Sequence, residues 1–121
     1  MKARPLLVVD DDADLREAIT DVLRDAGYEV VTASNGRQAL EVLARSNPLP
    51  GLVLLDMMMP VLDGAGFLAE VRGHSLWGSV PVLVFSASAS PNLQELGARG
   101  WVRKPVDLDA LLEVVSQHVQ R

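Results

Sequence analysis

Residues 6–19 read LLVVDDDADLREAI. Four apolar residues are followed at once by Asp10, Asp11 and Asp12, and then by a stretch whose apolar positions recur at helical spacing. A short Leu/Val run of this kind predicts a strand buried on both faces, and the change of period predicts a strand leading directly into a helix. The three aspartates stand at the junction. Like charges at the end of a buried strand repel one another and lose hydration, so the cluster persists only where something compensates it, and a cation is the natural candidate.

The same alternation continues outward. Residues 28–33 (YEVVTA), 51–56 (GLVLLD), 80–86 (VPVLVFS) and 100–104 (GWVRK) are the further apolar runs after residues 5–10 (PLLVVD). Between them, residues 14–27 place Leu15, Ile19, Val22, Leu23 and Ala26 on one helical face, with Asp12 as a cap and Gly27 as a stop. Residues 37–46 repeat the pattern with Ala39, Leu40 and Leu43, and residues 108–119 do so with Leu108, Leu111, Leu112, Val115 and Val119 behind a capping Asp107. Asp63-Gly64 is read as the turn into a third helix. Strands alternating with helices imply right-handed crossovers and a doubly wound α/β sandwich.

Composition bounds the rest. A chain of 121 residues with 49% hydrophobic content fits one domain, residues 1–121, without an internal repeat, linker or low-complexity stretch. No apolar run reaches membrane-spanning length, and MKARPLLVVDDD turns acidic too early for a signal peptide, so a cytoplasmic protein with no membrane partner is expected. The absence of cysteine excludes disulfides and thiolate metal sites. A net charge of −5 argues against direct nucleic-acid binding, which depends on clustered Lys and Arg.

In open α/β sheets the ligand site lies beyond the carboxyl ends of the strands. Asp10 and Asp11 follow the first predicted strand, Asp56 ends the third, Ser86 the fourth and Lys104 the fifth. Taken alone, Ser86 is a strand end and Lys104 a solvated lysine; together they place three carboxylates, a hydroxyl and an ammonium on one rim. Carboxylates with room for water suit Mg²⁺. A metal, a carboxylate nucleophile and a cation for the remaining phosphoryl oxygen are the parts that phosphoryl transfer to an aspartate requires.

At this point the chain resembles the receiver domain of two-component response regulators, in the stand-alone form similar to the chemotaxis type. The resemblance rests on VVDDD, on DMMMPVLDG from Asp56 to Gly64, on Ser86-Ala87 and on GWVRKP ending at Pro105, in that order along nearly the whole sequence. It implies a flavodoxin-like five-stranded parallel sheet of order 2-1-3-4-5. It further implies that Asp56 is the phosphoacceptor and that Mg²⁺ is held by Asp10, Asp11, Asp56 and the backbone carbonyl of Met58. Ser86 and Lys104 would contact the phosphoryl group, Ser86 and Trp101 would form the switch, and the Lys104-Pro105 peptide would be cis. The implied donor is a histidine kinase or histidine phosphotransfer protein. The implied output is another, unnamed protein, and the chain is expected to be a monomer or weak dimer that catalyses only its own phosphorylation and dephosphorylation.

Two alternatives come from other classes. A Mg²⁺-dependent aspartyl-phosphate hydrolase would need an acid/base carboxylate two residues after its nucleophile, where this chain has Met58. A pseudo-receiver that binds partners without phosphorylation would have lost an acidic, hydroxyl or lysine position, and none is lost. Met57, Met58 and Met59 are read as apolar packing, since thioethers suit a hard cation poorly; His74 and His118 are read as surface residues outside any metal site.

Three departures from the family pattern stand out. Ser86 stands where Thr is also common, which keeps the hydroxyl. Trp101 occupies a position where Tyr or Phe is usual, and a bulky indole turns inward less readily. The segment from Ser86 to Gly97 is about one helical turn short. A helix capped by Ser90 and running from Pro91 to Leu96, with Leu93 and Leu96 on one face, would be stunted.

Overall fold

Each half of the alternating pattern has a hydrophobic layer of its own in the computed structural model, which describes residues 4–87 and 92–119. The elements are β1 (Leu6–Val9), α1 (Ala13–Asp25), β2 (Val30–Ala33), α2 (Gly36–Arg45), β3 (Leu52–Asp56), α3 (Gly64–Gly73), β4 (Val82–Ser86), α4 (Leu93–Leu96), β5 (Gly100–Arg103) and α5 (Leu108–His118). The strands form one parallel sheet of order β2-β1-β3-β4-β5. This is the doubly wound, flavodoxin-like α/β architecture expected from the sequence.

Because side chains alternate along a strand, the sheet feeds two cores. Leu7, Val9, Val53 and Leu55 face one side and pack with Phe67 and Leu68 of α3. Leu6, Val8, Leu52 and Leu54 face the other and pack with Ile19 of α1 and Leu111 of α5. All four residues of β1 and all five of β3 are buried, as central parallel strands require.

The expectation of burial on both faces fails for β2 and β5. Val31 is 42% exposed and Thr32 is exposed, while β5 is only half-buried, because both strands form sheet edges where one face lacks full helix cover. The β2 edge is partly closed by Arg24, whose guanidinium donates to the Val30 carbonyl at 3.1 Å.

Capping residues set the helix starts. Asp12 accepts from the Asp14 and Leu15 N–H groups, Asp63 from Gly66, and Asp107 from Asp109 and Ala110. Helix α4 is a single turn, as the shortened segment implied, but its cap is not Ser90. The cap is Asn92, which accepts the Glu95 N–H at 3.1 Å, so the helix begins at Leu93 rather than Pro91. Ser90 and Pro91 themselves lie outside the described residues. Among the described residues no helix is long and apolar enough to cross a membrane.

Candidate functional site

Strand register builds the site. Val9 of β1 pairs with Leu55 of β3, so the residues that follow, Asp10 and Asp56, leave the sheet side by side. Both are buried, at 0% and 3% exposure, and Asp11 beyond them is exposed. Asp10, Asp11 and Asp56 each offer a carboxylate oxygen within 4.8 Å of the others, which makes one acidic pocket from two distant segments.

The two oxygens of Asp10 differ. Oδ1 accepts the Asp12 N–H at 2.9 Å, and Asp12 in turn caps α1. Oδ2 is buried with no hydrogen-bond partner among the described residues, although the Lys104 ammonium lies 3.6 Å away. Arg16 of α1 donates to the Asp10 carbonyl at 2.7 Å and fixes the backbone there. Burial pushes the Asp10 carboxyl upward from its ordinary range; the Asp12 N–H opposes this, and the charge of Asp56 adds to it. A buried carboxylate oxygen that lacks a hydrogen bond among the described residues, in an all-oxygen donor set, fits a hard divalent cation such as Mg²⁺.

Lys104 reaches the pocket from the end of β5. Its Nζ donates to Asp56 Oδ1 at 3.1 Å, and the same oxygen accepts the Met58 N–H at 3.3 Å. Burial draws the ammonium's pKa down, but the hydrogen bond to Asp56 and the charges of Asp10 and Asp56 outweigh that effect, and the net displacement is upward. Lysine is therefore held charged. Its own N–H donates to the Ser86 carbonyl at 3.0 Å, which ties the ends of β4 and β5 together, and the Lys104-Pro105 peptide is cis. Ser86 ends β4, next to the β3 strand that carries Asp56.

The loop after Asp56 is shaped by Gly64, which the sequence marks as a turn residue, and by Gly36 and Leu62, which the sequence reading passed over. Gly64 approaches so closely that a Cβ would lie 2.7 Å from Met57 Cα and 2.8 Å from the Asp56 carbonyl. Gly36 at the start of α2 donates its N–H to the Leu62 carbonyl at 3.0 Å, and a side chain at Gly36 would strike that carbonyl. Only glycine admits such approaches. The available signal was a glycine immediately after each capping residue, Asn35-Gly36 and Asp63-Gly64. The methionines divide: Met57 and Met59 pack against the core, whereas Met58 is 81% exposed, because the chain leaving the strand turns it outward. The expectation of packing therefore fails for Met58.

Trp101 lies in β5 opposite Val84, packs on the core that α3 covers, and has its indole Nε1 buried with no hydrogen-bond partner among the described residues. His74 is not a plain surface residue. It is half-buried and stacks on Trp77 with ring centroids 3.7 Å apart. His118 is half-buried as well, with Nδ1 3.0 Å from the Val114 carbonyl. Neither belongs to the acidic group.

The profile of the response regulator receiver domain matches residues 6–116. The chain belongs to that family. A probable transcriptional regulator, ycf27 of Pyropia yezoensis, is 42% identical to this receiver over 123 residues, which cover 96% of the chain and 49% of the relative. The receiver thus spans about half the length of such curated relatives. The chemotaxis response regulator CheY4 of Vibrio cholerae superposes with a TM-score of 0.89 at 32% identity, covering 98% of this chain and all of that one. The receiver domain of the Pseudomonas aeruginosa sensor histidine kinase PA1611, solved with a magnesium ion coordinated in its active-site cleft, superposes with a TM-score of 0.84 at 26% identity over 97% of this receiver and 98% of that chain.

Proposed function

We propose that this receiver is a phosphorylatable switch of a two-component phosphorelay, accepting a phosphoryl group on Asp56. The observation that carries the reading is the buried Asp56 carboxylate, hydrogen-bonded to Lys104 and grouped with Asp10 and Asp11. The donor is a phosphohistidine on a histidine kinase or histidine phosphotransfer protein. An Asp56 oxygen attacks phosphorus, a P–O bond forms as the P–N bond breaks, and the bonding pair departs with the imidazole nitrogen, which takes a proton.

Asp10, Asp11, Asp56 and the Met58 carbonyl are the groups that would hold Mg²⁺. When bound, it supplies positive charge for the phosphoryl oxygens. Lys104 gives a second positive contact, and the Ser86 hydroxyl a neutral donor. The product carries a charge of about −1.5 to −2 by analogy with other phosphoresidues. Drawing Ser86 toward that charge biases the equilibrium of Trp101 and alters a surface remote from Asp56, through which a partner protein reads the state. On this reading the chain is a signalling phosphoacceptor that acts catalytically only on itself, in the cytoplasm.

Incubation with Mg²⁺ and acetyl phosphate, followed by intact mass, tests the proposal. One phosphoryl group is expected on the parent and none on Asp56→Asn. Stoichiometric labelling of the Asn variant would remove Asp56 from its role, and an unlabelled parent would favour the pseudo-receiver.

A further inference from the structure

Helix α4 is one turn long with no buried residue, too little to hold itself in place. Leu93 and Leu96 pack only partly against the core. Its end is closed by Gly97, in the left-handed region at φ 77°, which donates to the Leu93 carbonyl at 2.9 Å.

A tether comes from α3. Arg72 Nε donates to the Gly97 carbonyl at 2.8 Å across 25 positions of sequence, while Nη1 donates to the carbonyls of Gly78 at 2.8 Å and Val80 at 3.1 Å. One guanidinium thus joins α3, the loop before β4 and the turn between α4 and β5. Its stem lies directly under that turn, since a Cβ at Gly97 would be 2.8 Å from Nε, 3.0 Å from Cγ and 3.1 Å from Cδ of Arg72. The planar fork with several donors is what three carbonyls in different directions require, and an ammonium could not match it.

The pinned turn leads straight into the switch strand. Arg99 donates to the Val82 carbonyl at 2.8 Å, starting the β5 register, and Trp101 follows two residues later. There the indole N–H is buried with no hydrogen-bond partner among the described residues. Such a seat is disfavoured relative to one in which the N–H reaches water, so it needs support from the backbone that presents it.

We propose that Arg72 is a positioning residue for the switch: by pinning Gly97 it holds the α4–β5 corner, and through it keeps Trp101 in its inward seat. This rests on the reading of Asp56 as phosphoacceptor and Trp101 as switch. The hydrogen bonds of Arg72 go to Gly97, Gly78 and Val80 and to no group of the acidic pocket, so its effect falls on the conformational response and not on the chemistry.

The test uses a Trp77→Phe background in which Trp101 is the sole emitter, with beryllofluoride and Mg²⁺ as the phosphoryl mimic. Arg72→Met, which keeps the stem, is expected to shift Trp101 emission to the red before any addition and to shrink the further change on adding the mimic. Arg72→Lys is expected to lie between Met and the parent. Labelling of Asp56 by acetyl phosphate should remain within about 2-fold of the parent, because no group of the pocket is altered. Emission and mimic response identical to the parent in Arg72→Met would overturn the proposal; if far-UV circular dichroism shows that variant unfolded, the same result in Arg72→Lys would do so. A parent that takes no phosphoryl group would defeat the Asp56 reading alone, and the emission shift without mimic would still decide whether Arg72 holds Trp101.

Discussion

Lys104 Nζ stands 3.1 Å from Asp56 Oδ1, a contact between residues 48 positions apart, and the same ammonium lies 3.6 Å from Asp10 Oδ2. One cation therefore faces two buried carboxylates, and the pocket retains unbalanced negative charge that a second cation would offset. Without its ammonium the developing charge on a transferred phosphoryl group has one fewer stabilising contact. Lys104→Met is expected to slow labelling of Asp56 by about 10²-fold, as loss of a single preorganised donor does elsewhere. Intact-mass time courses with acetyl phosphate would measure it, and an unchanged rate would place Lys104 outside the chemistry.

The upward displacement of Asp10 makes a pH prediction. A carboxyl whose native pKa lies above its unfolded value binds more protons in the native state. Without divalent cation, its contribution to stability therefore falls as pH rises from the ordinary carboxylate range through the raised native value, and stays low above it. On the proposed reading Mg²⁺ takes the ionised form, so the gain in Tm on adding it should be large at neutral pH and should fade near pH 4 or about the ordinary carboxylate range. Equal gains at both pH values in thermal melts would contradict this.

Asp11 is exposed, unlike Asp10 and Asp56. Asp11→Ala should weaken Mg²⁺ binding by about 10-fold or more. Without Mg²⁺ it should leave folding stability unchanged or raise it, because an exposed side chain is removed without a cavity and its charge no longer repels Asp10. Calorimetry, or Trp101 fluorescence in the Trp77→Phe background, would report the affinity. If the affinity is unchanged, the cation sits elsewhere.

Val61 adopts φ 71° while 76% exposed, and the Leu62 N–H donates to the Pro60 carbonyl at 2.8 Å across it. A β-branched residue at the centre of such a γ-turn is strained, and it contributes little packing in return. Val61→Gly is expected to stabilise the protein by about 1 kcal/mol, since glycine has no Cβ to strain there. Urea denaturation is the measurement; a loss of stability would show that the valine is needed by contacts other than its backbone.

With α4 reduced to Leu93–Leu96, the face it shares with β5 and α5 offers little surface. Activation with beryllofluoride and Mg²⁺ should therefore produce no stable dimer through that face. Sedimentation would reveal the contrary as an activated dimer that is lost on mutating Leu93 or Arg99.

The central strands were legible because burial on both faces leaves a continuous apolar signature, as in LVLLD, and Asp12, Asp63 and Asp107 mark helix starts by local chemistry alone. The pocket was legible because its groups stand at strand ends, where chain order and topology bring them together. Edge exposure at Val31 was not, since a strand's place in the sheet is a property of pairing and not of its own composition. Nor were the contacts of Arg72, Gly36 and Leu62, which join segments far apart in sequence and carry no periodic signal. Asn92 displaced Ser90 as cap because the residue that meets the Glu95 N–H is decided by the geometry of the loop, to which both residue types are suited.

The side chains of β1 and β3 alternate between two cores, and Asp10 and Asp56 are simply the next positions on those two rails. Gaining or losing a single residue inside either strand would turn every side chain beyond it to the opposite layer, scrambling both cores and swinging one aspartate away from the other. Insertions and deletions in these strands are thus barred twice over, by folding and by chemistry. Length variation is admitted only where no rail runs, and the stretch between β4 and β5 is such a place: a helical turn fewer there leaves Lys104 still within reach of Asp56.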